Sequence, residues 1–143
     1  MKTFTLDEAQ ALLPILDSLL NRAIESKNAA GELQEEMAAL ARRIFTSGGM
    51  TVDLGTTQKR RIALEALVQR AKDALQEIDA IGVQIKDLDT GLLDFPCLLA
   101  GETVLLCWKR GEAQIDFWHR VEDGFAGRQP IDARFRAAPE KLN

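Results

Sequence analysis

Apolar residues recur at spacings of three and four through the first 46 positions of the chain. Leu16, Ala23, Ala30, Met37 and Ile44 form one heptad row, and Leu12, Leu19, Leu33 and Leu40 form a second, interrupted by Ser26. Such spacing is the seam of a helix packed lengthwise on another helix. Thr5 followed by Glu8 is a capping box, in which hydroxyl and carboxylate each satisfy an orphan backbone donor, so the pattern predicts a helix over 6–46. Pro14 removes an amide donor and crowds the carbonyl four residues back, which predicts a kink near Gln10 and not a break. Ser47, Gly48 and Gly49 stop the helix. Thr56 or Thr57 then caps a second one over 56–82, with Leu64, Leu67, Ala71, Ala74, Ile78 and Ile81 on the same spacing and Gly82 at its end. The two form an antiparallel hairpin.

The two helices differ in length. At ~1.5 Å per residue the first spans roughly 60 Å and the second about 40 Å. The segment Leu6 to Leu20 therefore overhangs its partner, and it is also the most apolar, with Leu12, Leu13, Ile15, Leu16, Leu19 and Leu20 on more than one face. It needs a cover, and the stretch from Ile85 to Ile131 is the nearest candidate.

That stretch alternates as strands do. Val83 to Lys86 is followed by the turn Asp87, Leu88, Asp89, Thr90, Gly91 and by a strand from Leu92 to Phe95, ended by Pro96. Gly101 opens a third strand, Thr103 to Lys109, and a type II′ turn on Gly111 and Glu112 leads to a fourth, Gln114 to Val121. This turn sets a register. Trp108 faces Ile115, Leu106 faces Phe117 and Val104 faces His119 on an apolar side; Leu105 faces Trp118, Cys107 faces Asp116 and Thr103 faces Arg120 on a mixed one. Cys107 and His119 then point to opposite faces. The expected fold is α+β: a long antiparallel helical hairpin followed by a small antiparallel β-meander packed on the first helix, as a single domain over 1–143 with 83–121 as the meander and 122–143 as loop and tail.

Composition changes this picture little. The net charge of -4 and pI near 5.1 argue against bulk electrostatic binding to nucleic acid or anionic membrane. The opening MKTFTLDEAQ has no apolar leader core, and no stretch approaches the ~18 apolar residues of a spanning helix. Two cysteines make no disulfide framework, and a cytoplasmic setting with reduced thiols is expected.

The runs KDLDTGLLDFP, LLCW with GE after it, IDFWH and GFAGRQPI, together with the opening FTLDEAQALLPIL, resemble the bacterial proteins grouped as domain of unknown function family two-two-zero-three. The resemblance covers nearly the whole chain. Members commonly carry arginine directly after the CW tryptophan, where Lys109 stands here with Arg110 next; a cationic role survives, and a bidentate one at 109 does not. The resemblance implies the same domain extent and no particular activity, cofactor or substrate.

Four groups of residues are candidates for chemistry. His119, with Asp87, Asp89, Asp94 and Asp116 in the sheet region, has the makings of a base oriented by a carboxylate, set against a core histidine bonded to a carbonyl or carboxylate. Cys97, Cys107 and His119 lack the spacing of a zinc ribbon or finger, so both thiols read as small apolar side chains and neither metal nor cofactor is expected. In GFAGRQPID, Gly124 and Gly127 let amides converge beside Arg128 to grip an anion; the alternative places Phe125 in the core with Arg128 paired to an aspartate of the DLDTG turn. Arg42, Arg43, Lys59, Arg60 and Arg61 gather at the hairpin tip, where the helix dipole disfavours the last three. They suit RNA phosphates, but Phe45 alone is too few aromatics to stack bases, so the reading does not favour nucleic acid.

The expectation is a self-associating binding or scaffold protein, a homodimer through a coiled-coil-like four-helix arrangement, without catalytic activity. Surplus apolar helix surface, including Val68 and Leu75, motivates it. The alternatives are a small-molecule or anion site, possible for an enzyme, built from Asp87, Asp89, Trp118, His119 and Arg128, and RNA binding at the tip.

Overall fold

The computed structural model describes residues 2–46, 48 and 54–136. Three α-helices come first, α1 (Leu6–Ala11), α2 (Leu13–Thr46) and α3 (Leu54–Ile81). Five strands follow, β1 (Gln84–Asp87), β2 (Leu92–Leu99), β3 (Glu102–Lys109), β4 (Phe117–Arg120) and β5 (Gln129–Pro130), in one antiparallel sheet of order β1-β2-β3-β4-β5. The fold is α+β, with α2 and α3 packed together as a hairpin ahead of a β-meander. By contacts the chain divides into two compact units, Met1–Leu20 with Gln76–Asn143, and Asn21–Leu75.

The helices begin and end where their chemistry directs. Thr5 Oγ1 accepts from the Glu8 N–H at 3.2 Å, and the Glu8 carboxylate accepts from the Thr5 N–H at 2.9 Å, closing the capping box. Helical structure lapses at one residue, Leu12, two before Pro14; its backbone stays right-handed, and its N–H reaches the Ala9 carbonyl at 3.1 Å. A proline ring with no N–H to offer Gln10 accounts for the lapse. Helix α3 starts at Leu54, ahead of the expected Thr56 or Thr57 cap, and Gly82 ends it at φ +101°. The expected stop at Ser47 and Gly49 lies outside the described residues.

In the unit holding the sheet, the N-terminal segment is covered along most of its length. Leu6, Ala9, Leu16, Leu19 and Leu20 are buried, while Ile15 is 57% exposed. Successive strand residues alternate faces, and the face carrying Leu93, Phe95, Leu106 and Trp108 meets this segment. Phe4 stands edge-on to Phe95 with ring centres 5.8 Å apart, and its N–H donates to the Pro96 carbonyl at 2.7 Å. Pro96 does not end β2, which runs on to Leu99. The β1 pairing stops at Asp94, so proline's missing donor lies where no ladder partner remains.

The fourth strand corrects the expected register by one residue. Val104 pairs with Arg120, Leu105 with His119, Leu106 with Trp118 and Cys107 with Phe117. The cause is the turn. The Glu112 N–H bonds the Lys109 carbonyl at 3.0 Å, so Gly111, at φ +100°, is the second central residue and not the first. Residues 113–116 then leave the ladder, and Ile115, 1% exposed, enters the core from that loop. A slip of one residue exchanges the faces of a strand. Cys107 and His119 accordingly lie on the same face, and Trp118 on the other. A fifth strand, in what reads as tail, adds Gln129 and Pro130 to the outer edge of β4.

Candidate functional site

Three buried side chains converge on that shared face. Asp94 of β2 sits directly opposite Cys107 of β3, and His119 of β4 lies beside them. They are 1%, 0% and 4% exposed, and one ligand-type atom from each lies within 4.8 Å of the others. Cys97, the residue after Pro96, faces away from them on the opposite side of the sheet.

The hydrogen bonds fix where the protons are. His119 Nδ1 lies 2.8 Å from the Arg120 carbonyl, which only accepts, so Nδ1 carries a hydrogen. Nε2 lies 3.1 Å from both carboxylate oxygens of Asp94, so the pair holds one further proton between them. Cys107 donates its S–H to the same carboxylate; burial first, then the Asp94 charge, pushes this thiol up to about 12. Asp94 stands between cysteine and histidine, the reverse of a nucleophile–base–carboxylate order. Both imidazole nitrogens are taken by protein groups, and burial holds the thiol protonated.

Arg128 borders this cluster. Its Nη2 donates to both oxygens of Glu112 at 2.9 and 3.1 Å, and its guanidinium lies 4.1 Å from the Phe117 ring centre and 4.6 Å from that of Phe125. Glu112 is itself fixed, accepting from the Lys109 N–H at 2.6 Å. Both halves of the expected Arg128 arrangement are corrected. Its partner is Glu112 and not an aspartate of the DLDTG turn, and Phe125 is 48% exposed, held against the cation and not in the core. The guanidinium lies against both ring faces, where the ring quadrupole attracts a cation.

The sheet divides the five residues Asp87, Asp89, Trp118, His119 and Arg128, since Trp118 and His119 lie on opposite faces. Asp87 is used in its own turn, accepting from the Asp89 N–H at 3.2 Å and the Thr90 hydroxyl at 2.9 Å. Trp118 donates to the Pro130 carbonyl at 3.2 Å and packs on Phe135 across the sheet from His119. A cleft of about 390 Å³ does lie between the kinked helix and the β3–β4 turn, lined by Gln10, Pro14, Asp17, Trp108 and Glu112 among others. None of the five lines it.

At the hairpin tip Arg42, Arg43 and Arg60 border a cleft of about 550 Å³ with Glu36 and Thr46. Arg42 pairs with Glu35 at 3.2 Å, and Lys59 and Arg61 are exposed outside that lining. Asp94 is among the four aspartates set beside His119 by the sequence, whereas the expected register puts Cys107 on the opposite face. The signal was present in Gly111, since placing it second in its turn puts Cys107 and His119 on one face.

Among the described residues, no helix is long and apolar enough to cross a membrane. Comparison with curated proteins and with solved structures finds no match. The family model of the uncharacterized conserved protein DUF2203 matches residues 2–131. That span takes in the capping box, both long helices, the whole sheet and the Asp94, Cys107 and His119 cluster, and the chain belongs to this family.

Proposed function

We propose that the protein is a cytoplasmic, non-catalytic scaffold that works as a homodimer, its helical hairpins pairing into a four-helix arrangement. One observation carries this. From Gly31 to Thr46 and from Leu54 to Asp73 no described side chain is buried, although Leu33, Met37, Leu40, Ile44, Leu64, Leu67 and Ala71 hold seam positions. Two helices alone cover such a seam from one side only, and an isolated pair of this kind is marginal in water.

The second apolar row makes the occupant a copy of the same hairpin. On α3, Val68 (36% exposed) and Leu75 widen the stripe of Leu64 and Ala71 to the breadth of a bundle helix. Charge favours an antiparallel pairing. The tip carries Arg42, Arg43, Lys59, Arg60 and Arg61, and Glu32, Glu35 and Glu36 lie about two turns further along α2, so each basic tip meets its partner's acidic stretch. An acidic RNA backbone is the rival partner for the tip.

Sedimentation equilibrium on the full-length protein at micromolar concentration is expected to give a dimer, and Val68→Glu a monomer with reduced helicity. A monomeric wild type overturns the proposal. Retention of RNA on filters at low salt by a monomeric wild type transfers the tip's charge to the rival.

A further inference from the structure

We propose that Asp94, Cys107 and His119 bind a divalent transition-metal ion, zinc in the first place, through a carboxylate oxygen, the thiolate and Nε2. The site is independent of the hairpin and of self-association, since all three residues belong to the unit that holds the sheet.

The ligand set is of the right kind and in the right place. Carboxylate, thiolate and imidazole are the three ligand types of protein zinc sites, and two anionic ligands neutralise a doubly charged ion. A thiolate disfavours magnesium and calcium, which take oxygen. The residues stand on three adjacent strands whose ladder pairing fixes them, with Asp94 and Cys107 directly opposite. Their ligand-type atoms fall within 4.8 Å of one another, and an inward shift of about 1 Å brings them to the ~3.5 Å spacing that zinc bonds of about 2.0–2.3 Å require.

The existing hydrogen bonds already aim two of the three groups. His119 donates Nδ1–H to the Arg120 carbonyl at 2.8 Å, the outer bond by which ligating histidines are aimed, and this leaves Nε2 as the ligand nitrogen. Nε2 and the Asp94 oxygens 3.1 Å away are aimed at one another across their shared proton, so both already point at one spot. A proton serves in the metal-free protein, and an ion serves nitrogen, oxygen and sulfur together. On binding, the proton between His119 and Asp94 and the Cys107 S–H proton leave for solvent as the metal–nitrogen, metal–oxygen and metal–sulfur bonds form. Three protein ligands leave one tetrahedral position for water or a small anion.

Titration of chelator-treated, full-length protein with Co²⁺ tests this. One ion per chain is expected, with a sulfur-to-cobalt charge-transfer band in the near ultraviolet that Zn²⁺ abolishes. The chain has two cysteines, so a band retained in Cys97→Ser belongs to Cys107. His119→Gln is expected to weaken binding by about tenfold or more. Absence of Co²⁺ binding, binding without the thiolate band, loss of the band in Cys97→Ser, or unchanged affinity in a folded His119→Gln each overturns the site. If His119→Gln does not fold, the wild type and Cys97→Ser decide.

Discussion

Ala100 adopts φ +50° and Gly101 φ +78° in the two-residue turn between Leu99 and Glu102, the backbone of a type I′ hairpin. A residue with a Cβ held in the left-handed region is strained by roughly 1–2 kcal/mol, and glycine relieves this while adding freedom to the unfolded chain. Ala100→Gly is therefore expected to stabilise the protein by about 0.5–1 kcal/mol, read as a raised urea midpoint with unchanged slope. Gly91 is the opposite case. It has φ +71°, and a Cβ there meets the Arg110 Cβ at 2.5 Å, so backbone and space both require glycine. The Arg110 N–H donates to the Gly91 carbonyl at 2.9 Å, which keeps the two chains at that separation.

Among the elements, the contact between α1 and the β3–β4 loop decides how the sheet end is closed. Ile115 leaves the ladder to fill the core, and its N–H is taken by the Gln10 side chain at 3.2 Å. Gln10→Ala leaves that amide without its acceptor and is expected to cost about 1–2 kcal/mol in chemical denaturation. Gln10→Glu keeps an acceptor and is expected to recover most of the loss. The same loop marks the limit of what could be read from the chain. The helices were legible because a heptad seam, the Thr5 and Glu8 box and Gly82 are local signals that agree with one another. The strands were legible as strands, but their register depended on which central position Gly111 takes, and both positions accept glycine. Placing it first separated Cys107 from His119, so the buried cluster was hidden although each of its residues was in view. Contacts far apart in sequence, such as Gln10 with Ile115 or Arg128 with Glu112, have no local signature.

Across the molecule, burial is distributed unevenly between the two units. The sheet unit has a core of large side chains such as Leu16, Leu20, Ile78, Leu93, Phe95 and Leu106, each at 0% exposure, whereas among the described residues of Asn21–Leu75 the buried ones are Ala23, Ser26, Ala30 and Ala74. Small side chains bury little apolar area, at about 25 cal/mol per Å², so the hairpin contributes little stability of its own. If a second copy completes it, folding and association are linked, and stability depends on protein concentration. A tenfold rise is worth about 1.4 kcal/mol per dimer, or about 3 °C in midpoint for chains of this size. Both tryptophans, Trp108 and Trp118, lie in the sheet unit, so their fluorescence follows that unit alone, while helical circular dichroism follows mostly α2 and α3. The helical midpoint is expected to climb with concentration and to converge on the tryptophan midpoint, which moves less. A helical midpoint independent of concentration over two decades would show that the hairpin is held by its own two helices.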